Sequence, residues 1–320
     1  MEPMNDPKMD ENTVALSGVF AALITPVDQG GSPDASLLAQ LIDFVVNAGV
    51  DGLCLGGGTA EYPHFSIGDR KQLVDDAARH LDGRLPFITA VGAPTSRNVI
   101  ELGKHALSRG SLALLLPMPF FFRYTQDDIA AYVRETVLSL DAPCLLYNLP
   151  AFANPLEPEM SISLLRSLHN VIGLKDSSGD RGALSTLIGA RDRSPFTLMC
   201  GSDGVFFEAM EAGWDGSISG IASCCPEVLR ALYDHHRAGR RSEARLCQDL
   251  LDELVEMVGR LPFPWSIRIA AEARGFPNGP LPYPLSEQRQ IQVAELRREY
   301  EAWFDLNLPR ILSESSNQSR

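Results

Sequence analysis

The sequence predicts an α/β fold, a single closed (β/α)8 TIM barrel with a C-terminal helical extension. Three observations predict it. Eight short apolar runs alternate strictly with eight longer amphipathic ones, the pattern of parallel strands joined by right-handed crossovers. The eight units occupy about 220 residues, which suits a closed barrel better than an open sheet. No GxGxxG follows the first run, so the phosphate-binding turn of an open doubly wound sheet is missing.

The strands are expected at Val19–Ile24, Gly52–Leu55, Pro86–Val91, Leu112–Leu116, Cys144–Tyr147, Val171–Leu174, Thr197–Cys200 and Gly216–Ile218. Each is a short apolar run bounded by turn residues. The helices are expected near 34–48, 67–81, 96–109, 126–139, 157–168, 181–191, 203–212 and 226–237, several opened by caps such as Asp34 and Ser66. Residues 240–305 read as two or three further helices, interrupted by Pro262, Pro264 and the loop Gly275–Pro284. The expected organisation is a flexible extension over 1–16, a barrel over 17–238, a helical appendage over 239–310 and a disordered tail over 311–320.

Composition narrows the function. The chain of 320 residues carries a formal charge of −13. That balance argues against nucleic acid and against anionic membrane surfaces as partners. An anionic substrate must then be held by local groups such as backbone N–H. No apolar run is long enough to span a bilayer, and the polar N-terminus has no signal core. Of the six cysteines, Cys54, Cys144 and Cys200 lie inside apolar runs, where cysteine behaves as a small hydrophobe. There is no CxxC and no histidine at ligand spacing, so no metal site is expected and a reduced, cytoplasmic setting fits.

Barrel enzymes carry their chemistry on the loops after the strands, so the strand-end residues are the ones to weigh. The most informative is Lys175, which ends the run Val171–Leu174 and precedes Asp176-Ser177-Ser178-Gly179-Asp180. An ammonium at the mouth of an apolar core is costly, and the neutral amine is a nucleophile for carbonyl carbon. A lysine snorkelling to solvent is the structural alternative. After the second strand, Gly56-Gly57-Gly58-Thr59-Ala60-Glu61 lets backbone N–H groups approach a carboxylate or phosphate, or makes a plain βα turn. Tyr147, at the end of the fifth strand, either shuttles a proton or packs with its hydroxyl bonded; adjacency to the Lys175 strand favours the first. The run Phe120-Phe121-Phe122 is costly in an exposed loop and reads as pocket wall or subunit interface. Gly216–Gly220 again places small hydroxyls at a strand end. Asp203, after Gly201-Ser202, binds substrate hydroxyls or caps the next helix, and the cap is slightly favoured.

These segments together resemble the pyruvate-dependent class I aldolase family that includes dihydrodipicolinate synthase, N-acetylneuraminate lyase and 2-keto-3-deoxygluconate aldolase. GGGTAE matches the family's G-[ST]-[ST]-G-E loop, YNLP its Y-N-x-P, GLKDSSGD its G-[IVL]-K-[DE]-x-[ST]-G-D and GWDGSISG its G-x-x-G-x-I-S, in the family's order. The similarity runs from about Gly18 to the C-terminal helices. The resemblance implies a homotetramer built as a dimer of dimers, with a 2-keto acid and an aldehyde as small-molecule partners. It implies a Schiff base on Lys175 in place of any cofactor, Tyr147 as proton shuttle at the substrate hydroxyl and at the Schiff-base carbinolamine, and Thr59 with the N–H groups of Gly58 and Thr59 holding the keto-acid carboxylate. Gly57, Ser177, Gly201, Asp203, Ile218, Ser219 and Phe121 fall at its substrate-binding positions.

The chain departs from the family pattern in places. Gly58 replaces the first hydroxyl of the usual pair, Phe121 falls where a tyrosine usually reaches across a dimer interface, and Ala60 replaces the motif's second glycine. YNLPAFANP lacks the arginine with which dihydrodipicolinate synthases hold a dicarboxylic product, which disfavours lysine biosynthesis. The branch it most resembles is the 2-keto-3-deoxy sugar acid aldolases. A dehydratase of a keto-deoxy sugar acid stands second, other family activities next, and a non-catalytic keto-acid-binding barrel last.

Overall fold

The computed structural model describes residues 16–191 and 195–316. Parallel strands close on themselves in chain order: β1 (Gly18–Ala22), β2 (Gly52–Leu55), β3 (Phe87–Ala90), β4 (Leu114–Pro117), β5 (Cys144–Asn148), β6 (Val171–Asp176), β7 (Thr197–Cys200) and β8 (Gly216–Ser219). β8 pairs back onto β1, matching Phe20 with Ile218 and Ala21 with Ser219. The crossovers are α1 (Ala35–Asn47), α2 (Ile67–Leu81), α3 (Ser96–Ser108), α4 (Gln126–Leu140), α5 (Pro158–Ser167), α6 (Arg181–Gly189), α7 (Phe206–Glu211) and α8 (Pro226–Arg237). The expected caps form: Asp34 accepts from Ser36 N and Leu37 N, and Ser66 makes a reciprocal box with Asp69.

Every strand is buried on both faces, so the alternation along it separates two cores. Phe20, Ala22, Cys54, Ile88, Leu115, Leu145, Met199 and Ile218 fill the barrel interior. Val19, Ala21, Leu53, Leu114, Leu146 and Leu198 face the helices.

One irregularity sets the position of the site. The β5–β6 register runs Cys144 with Val171 and then Leu145 with Gly173, leaving Ile172 as an extra residue. Val171 and Leu174 face the helices, whereas Ile172 packs on the interior cluster. Without the extra residue, strict alternation would turn position 175 outward with Val171; the bulge flips the parity and brings Lys175 inward. Gly173 makes this possible, because a Cβ there would stand 2.3 Å from Thr197 O.

Beyond the barrel, α9 (Arg241–Val258) packs on α8, and α10 (Trp265–Ala273) packs between α9 and α11 (Glu287–Ser316). Three expectations change here. Helix 203–212 divides into a 3-10 turn, Asp203–Val205, and the shorter α7. Leu16, placed in the extension, is buried in the barrel interior, while residues 1–15 lie outside the described residues. The tail read over 311–320 is helical to Ser316, because Ile311 buries itself in the core and carries the helix past Pro309; residues 317–320 lie outside the described residues.

Candidate active site

β6 delivers Lys175 to the C-terminal rim of the barrel, where it is 5% exposed. Across the ladder its register partner is Tyr147, the last interior residue of β5. Lys175 Nζ stands 4.3 Å from the centroid of the Tyr147 ring, so the phenol face steadies the cation. The neighbouring rim makes room for the lysine. A Cβ at Gly201 would stand 2.6 Å from Lys175 Cε and 2.1 Å from Ser177 Oγ. The N–H of Gly201 is engaged by Asp176 O at 2.7 Å, so this glycine shapes the lysine's slot and offers no donor to a ligand.

Asp176 is structural. It accepts from Asn148 Nδ2 at 2.7 Å and from Ser178 N at 2.8 Å, tying the ends of β5 and β6 together. Ser177 N donates to Asn148 O, but Ser177 Oγ is buried with no hydrogen-bond partner.

The glycine loop after β2 stands opposite. Gly56 turns the chain with φ +66°, and the bonds Ala60 N to Gly57 O and Glu61 N to Gly58 O close the turn. The N–H groups of Gly58 and Thr59 have no hydrogen-bond partner among the described residues. Gly57 lies between Cys54 and Ala90, close to the barrel wall. Thr59 is buried, with Oγ1 packed on Gly220 beyond β8. A Cβ on Gly58 would stand 4.0 Å from the Tyr147 hydroxyl, so the loop and the Lys175–Tyr147 pair share one space.

Glu61 and Arg268 form a brace that the sequence reading misses. Glu61 sits in left-handed backbone with φ 54° and is buried. Arg268, from α10, reaches it at 2.9 Å while its other N–H groups bond Asn278 and the carbonyls of Gly279 and Pro280. The glycine loop is thus held by a buried ion pair from the C-terminal appendage. The E of GGGTAE is the one signal in the sequence; the partner, 207 residues away, gives none.

Asp203 corrects the preferred reading as a helix cap. The 3-10 turn displaces it from the cap position; the preceding residue, Ser202, flanks the turn, and no side chain caps it. The Asp203 carboxyl turns into the barrel mouth instead. Burial pushes its pKa up to about 6, opposed by the Ser219 hydroxyl, the Lys175 charge and the Ile221 N–H. Part of the residue reaches the surface, but Oδ1 is enclosed and unpartnered. Ser219 is fully buried and accepts from Ala222 N at 3.2 Å. Ile218 packs its side chain into the barrel interior, leaving only its backbone toward the mouth.

Phe121 is not brought to Lys175 within the chain. It is 89% exposed, with φ 75°, and stacks edge-on against Phe122 at 4.9 Å. With Phe120, Phe122 and Tyr124 it lines a surface cleft.

A parallel barrel whose rim joins a buried lysine, a phenol and open N–H donors defines a lyase of the class I aldolase type. The chain belongs to the dihydrodipicolinate synthetase family, whose model matches residues 15–301, and it is a pyruvate-dependent lyase of that family. It is 30% identical over 297 residues to the putative 2-dehydro-3-deoxy-D-gluconate aldolase YagE of Escherichia coli K12, covering 88% of this chain and 98% of that one. It is 28% identical over 283 residues to N-acetylneuraminate lyase of Rhizobium meliloti, covering 88% and 93%. The solved structure of YagE in complex with pyruvate matches at a TM-score of 0.83 and 28% identity, covering 90% of this chain and 99% of that one. Among the described residues, no group of three or more His, Cys, Asp or Glu side chains is placed to hold a metal ion. No helix among them is long and apolar enough to cross a membrane.

Proposed function

We propose that the protein cleaves or forms a 2-keto-3-deoxy sugar acid, with pyruvate as the keto-acid half and Lys175 as its Schiff-base nucleophile. Lys175 condenses with the C2 carbonyl, giving an iminium that serves as the electron sink and replaces any cofactor. When the C3–C4 bond breaks, its electron pair flows into the iminium to give an enamine, and the C4 hydroxyl loses its proton and becomes the aldehyde. Tyr147 relays that proton: its oxygen accepts it as its own O–H proton passes to the enamine carbon, and water then releases pyruvate from Lys175. The N–H groups of Gly58 and Thr59, with the Thr59 hydroxyl, hold the carboxylate, and Gly57 keeps the approach free of side chains. Ser177 and Ser219 read hydroxyls further along the chain of the substrate.

The observation that carries this reading is the buried Lys175 over the Tyr147 ring, facing a loop with two open N–H donors. The likeness to YagE supports the substrate class. The hydroxyl-free run Gly56–Gly58 favours a second reading, a dehydratase of a keto-deoxy sugar acid. The exposed Phe121–Phe122 pair supports assembly into a homotetramer through a symmetric contact of this loop. The acidic, disulfide-free chain suits the cytoplasm.

A panel of 2-keto-3-deoxy sugar acids tests the reading, with pyruvate followed by a coupled dehydrogenase and total carbon skeletons by mass spectrometry. An aldolase releases pyruvate and an aldehyde, and Lys175→Ala abolishes the release. A product one water lighter with its carbon chain intact establishes the dehydratase instead. No turnover of any member contradicts both.

A further inference from the structure

The rim around Lys175 has one apolar side. A Cβ on Gly58 would meet Phe263 Cε1 at 3.6 Å, Leu149 Cδ2 at 3.8 Å and the Tyr147 hydroxyl at 4.0 Å. The space that Gly58 leaves free therefore lies beside the Tyr147 phenol and is walled by carbon. The wall continues outward: the Phe263 ring leans on that of Phe152, with centroids 5.7 Å apart and planes at 32°. Both remain open to solvent, Phe152 at 57% and Phe263 at 40% exposure.

This wall is held in place. The N–H groups of Phe152 and Ala153 both donate to Leu149 O, at 3.0 Å, and close the turn that follows β5. Asn154, which is buried, donates from Nδ2 to the carbonyls of Pro119 and Phe122 and pins the far end of that turn. Phe263 stands just ahead of α10, whose Arg268 braces the glycine loop. Two aromatic rings fixed beside the Tyr147 phenol and left half bare are costly unless something apolar covers them. A sugar hydroxyl finds no partner on this side and would lose its water there.

We propose that the site also adds pyruvate to an aldehyde carrying an aromatic ring, which lies in the space beside Gly58 against Phe263 and Phe152. The proposal rests on the Schiff-base reading above and adds an activity to it. Pyruvate held as the iminium on Lys175 loses a C3 proton to give the enamine. C3 then bonds the aldehyde carbon as the electron pair of the C=O bond takes up a proton. Tyr147 relays it: its oxygen accepts the proton from C3, and its own O–H proton passes to the aldehyde oxygen. Water hydrolyses the iminium, replacing the water released when it formed. The product is a 4-hydroxy-2-oxo acid with an aryl group on C4. The ring gains burial against carbon and aromatic contact with the two phenylalanines.

The test compares benzaldehyde with glyceraldehyde as acceptors at saturating pyruvate, with products identified by mass spectrometry. The wild type is expected to make 4-hydroxy-2-oxo-4-phenylbutanoate with a kcat/KM matching or exceeding that for glyceraldehyde. Phe152→Ser lowers the ratio of the benzaldehyde to the glyceraldehyde kcat/KM by roughly 10-fold or more, and Phe152→Leu restores part of it. Thermal melts and size-exclusion chromatography follow the fold and assembly of each variant. No benzaldehyde product from a wild type that traps pyruvate on Lys175 overturns the proposal, as does a kcat/KM below that for glyceraldehyde or an unchanged ratio in Phe152→Ser. A Phe152→Ser protein that loses its assembly and both activities together makes the ring pair a subunit contact and overturns it as well. A wild type that traps no pyruvate under borohydride refutes the Schiff-base reading itself, so the two failures are distinct.

Discussion

Lys175 and Tyr147 are register partners across β5 and β6, and the lysine nitrogen lies 4.3 Å from the centre of the phenol ring. In the proposed mechanism the two parts of Tyr147 have separable duties: the ring steadies the cation and the hydroxyl moves the proton. Tyr147→Phe keeps the ring. We expect pyruvate still to be trapped on Lys175, while cleavage turnover falls by roughly 10²- to 10⁴-fold. Comparing trapping with steady-state turnover checks this, and parallel loss of both would contradict it.

Gly201 is expected to tolerate no side chain. Its Cβ would fall 2.6 Å from Lys175 Cε, against the lysine side chain itself. Gly201→Ala should cost about 1–3 kcal/mol of stability through overpacking and should displace Lys175. A folded Gly201→Ala protein, checked by its melt, is predicted to lose pyruvate trapping far more than its stability loss explains.

Gly58 is the opposite case. A Cβ there meets Phe263 at 3.6 Å, Leu149 at 3.8 Å and the Tyr147 hydroxyl at 4.0 Å, all ordinary contacts. Gly58→Ser should therefore fold as the wild type does and place a hydroxyl against Tyr147. The expected result is an unchanged melting temperature with equal or higher turnover; a collapse of stability would show the loop to be tighter than described.

The Glu61–Arg268 pair is buried on both sides, at 4% and 3% exposure. Arg268→Met leaves the Glu61 charge uncompensated and should destabilise by about 3–5 kcal/mol. Adding Glu61→Gln removes that charge and should recover part of the loss. Denaturant melts of the single and double variants measure the coupling. If the double variant is no better than the single, the brace is not electrostatic.

Asp203 should make stability fall as pH rises. Its carboxyl rises from 3.8 to about 6 on folding, so the folded state favours the protonated form. The stability this contributes is present below pH 4 and is lost as pH climbs through about 6. At pH 8 the ionised carboxyl opposes folding by up to about 3 kcal/mol. Asp203→Asn should therefore melt higher than the wild type at pH 8 and show no such gain at pH 4. An identical difference at both pH values would refute the assignment.

The barrel is legible in the sequence because each strand is a short apolar run and five of the crossover helices open on a side-chain cap, Asp34, Ser66, Thr95, Thr125 and Asp180. Lys175, Tyr147 and Thr59 are legible because each closes or follows such a run, where barrel chemistry gathers. The inward turn of Lys175 is not, since it depends on the bulge at Ile172, and alternation alone turns the residue outward. Asp203 reads as a cap because Gly201-Ser202-Asp203 ahead of an apolar helix has that form. The 3-10 turn that rotates its carboxyl inward leaves no mark in composition. Arg268 is invisible for a simpler reason. Its partner lies 207 residues away, and long-range pairing of one arginine with one glutamate has no local signature.

Borohydride reduction of the protein with pyruvate, followed by peptide mass spectrometry, decides whether Lys175 is the nucleophile. One reduced pyruvyl adduct is expected, on the peptide carrying Lys175 and absent from Lys175→Ala. A folded wild type with no adduct at Lys175, with pyruvate or a longer 2-keto acid, would contradict it.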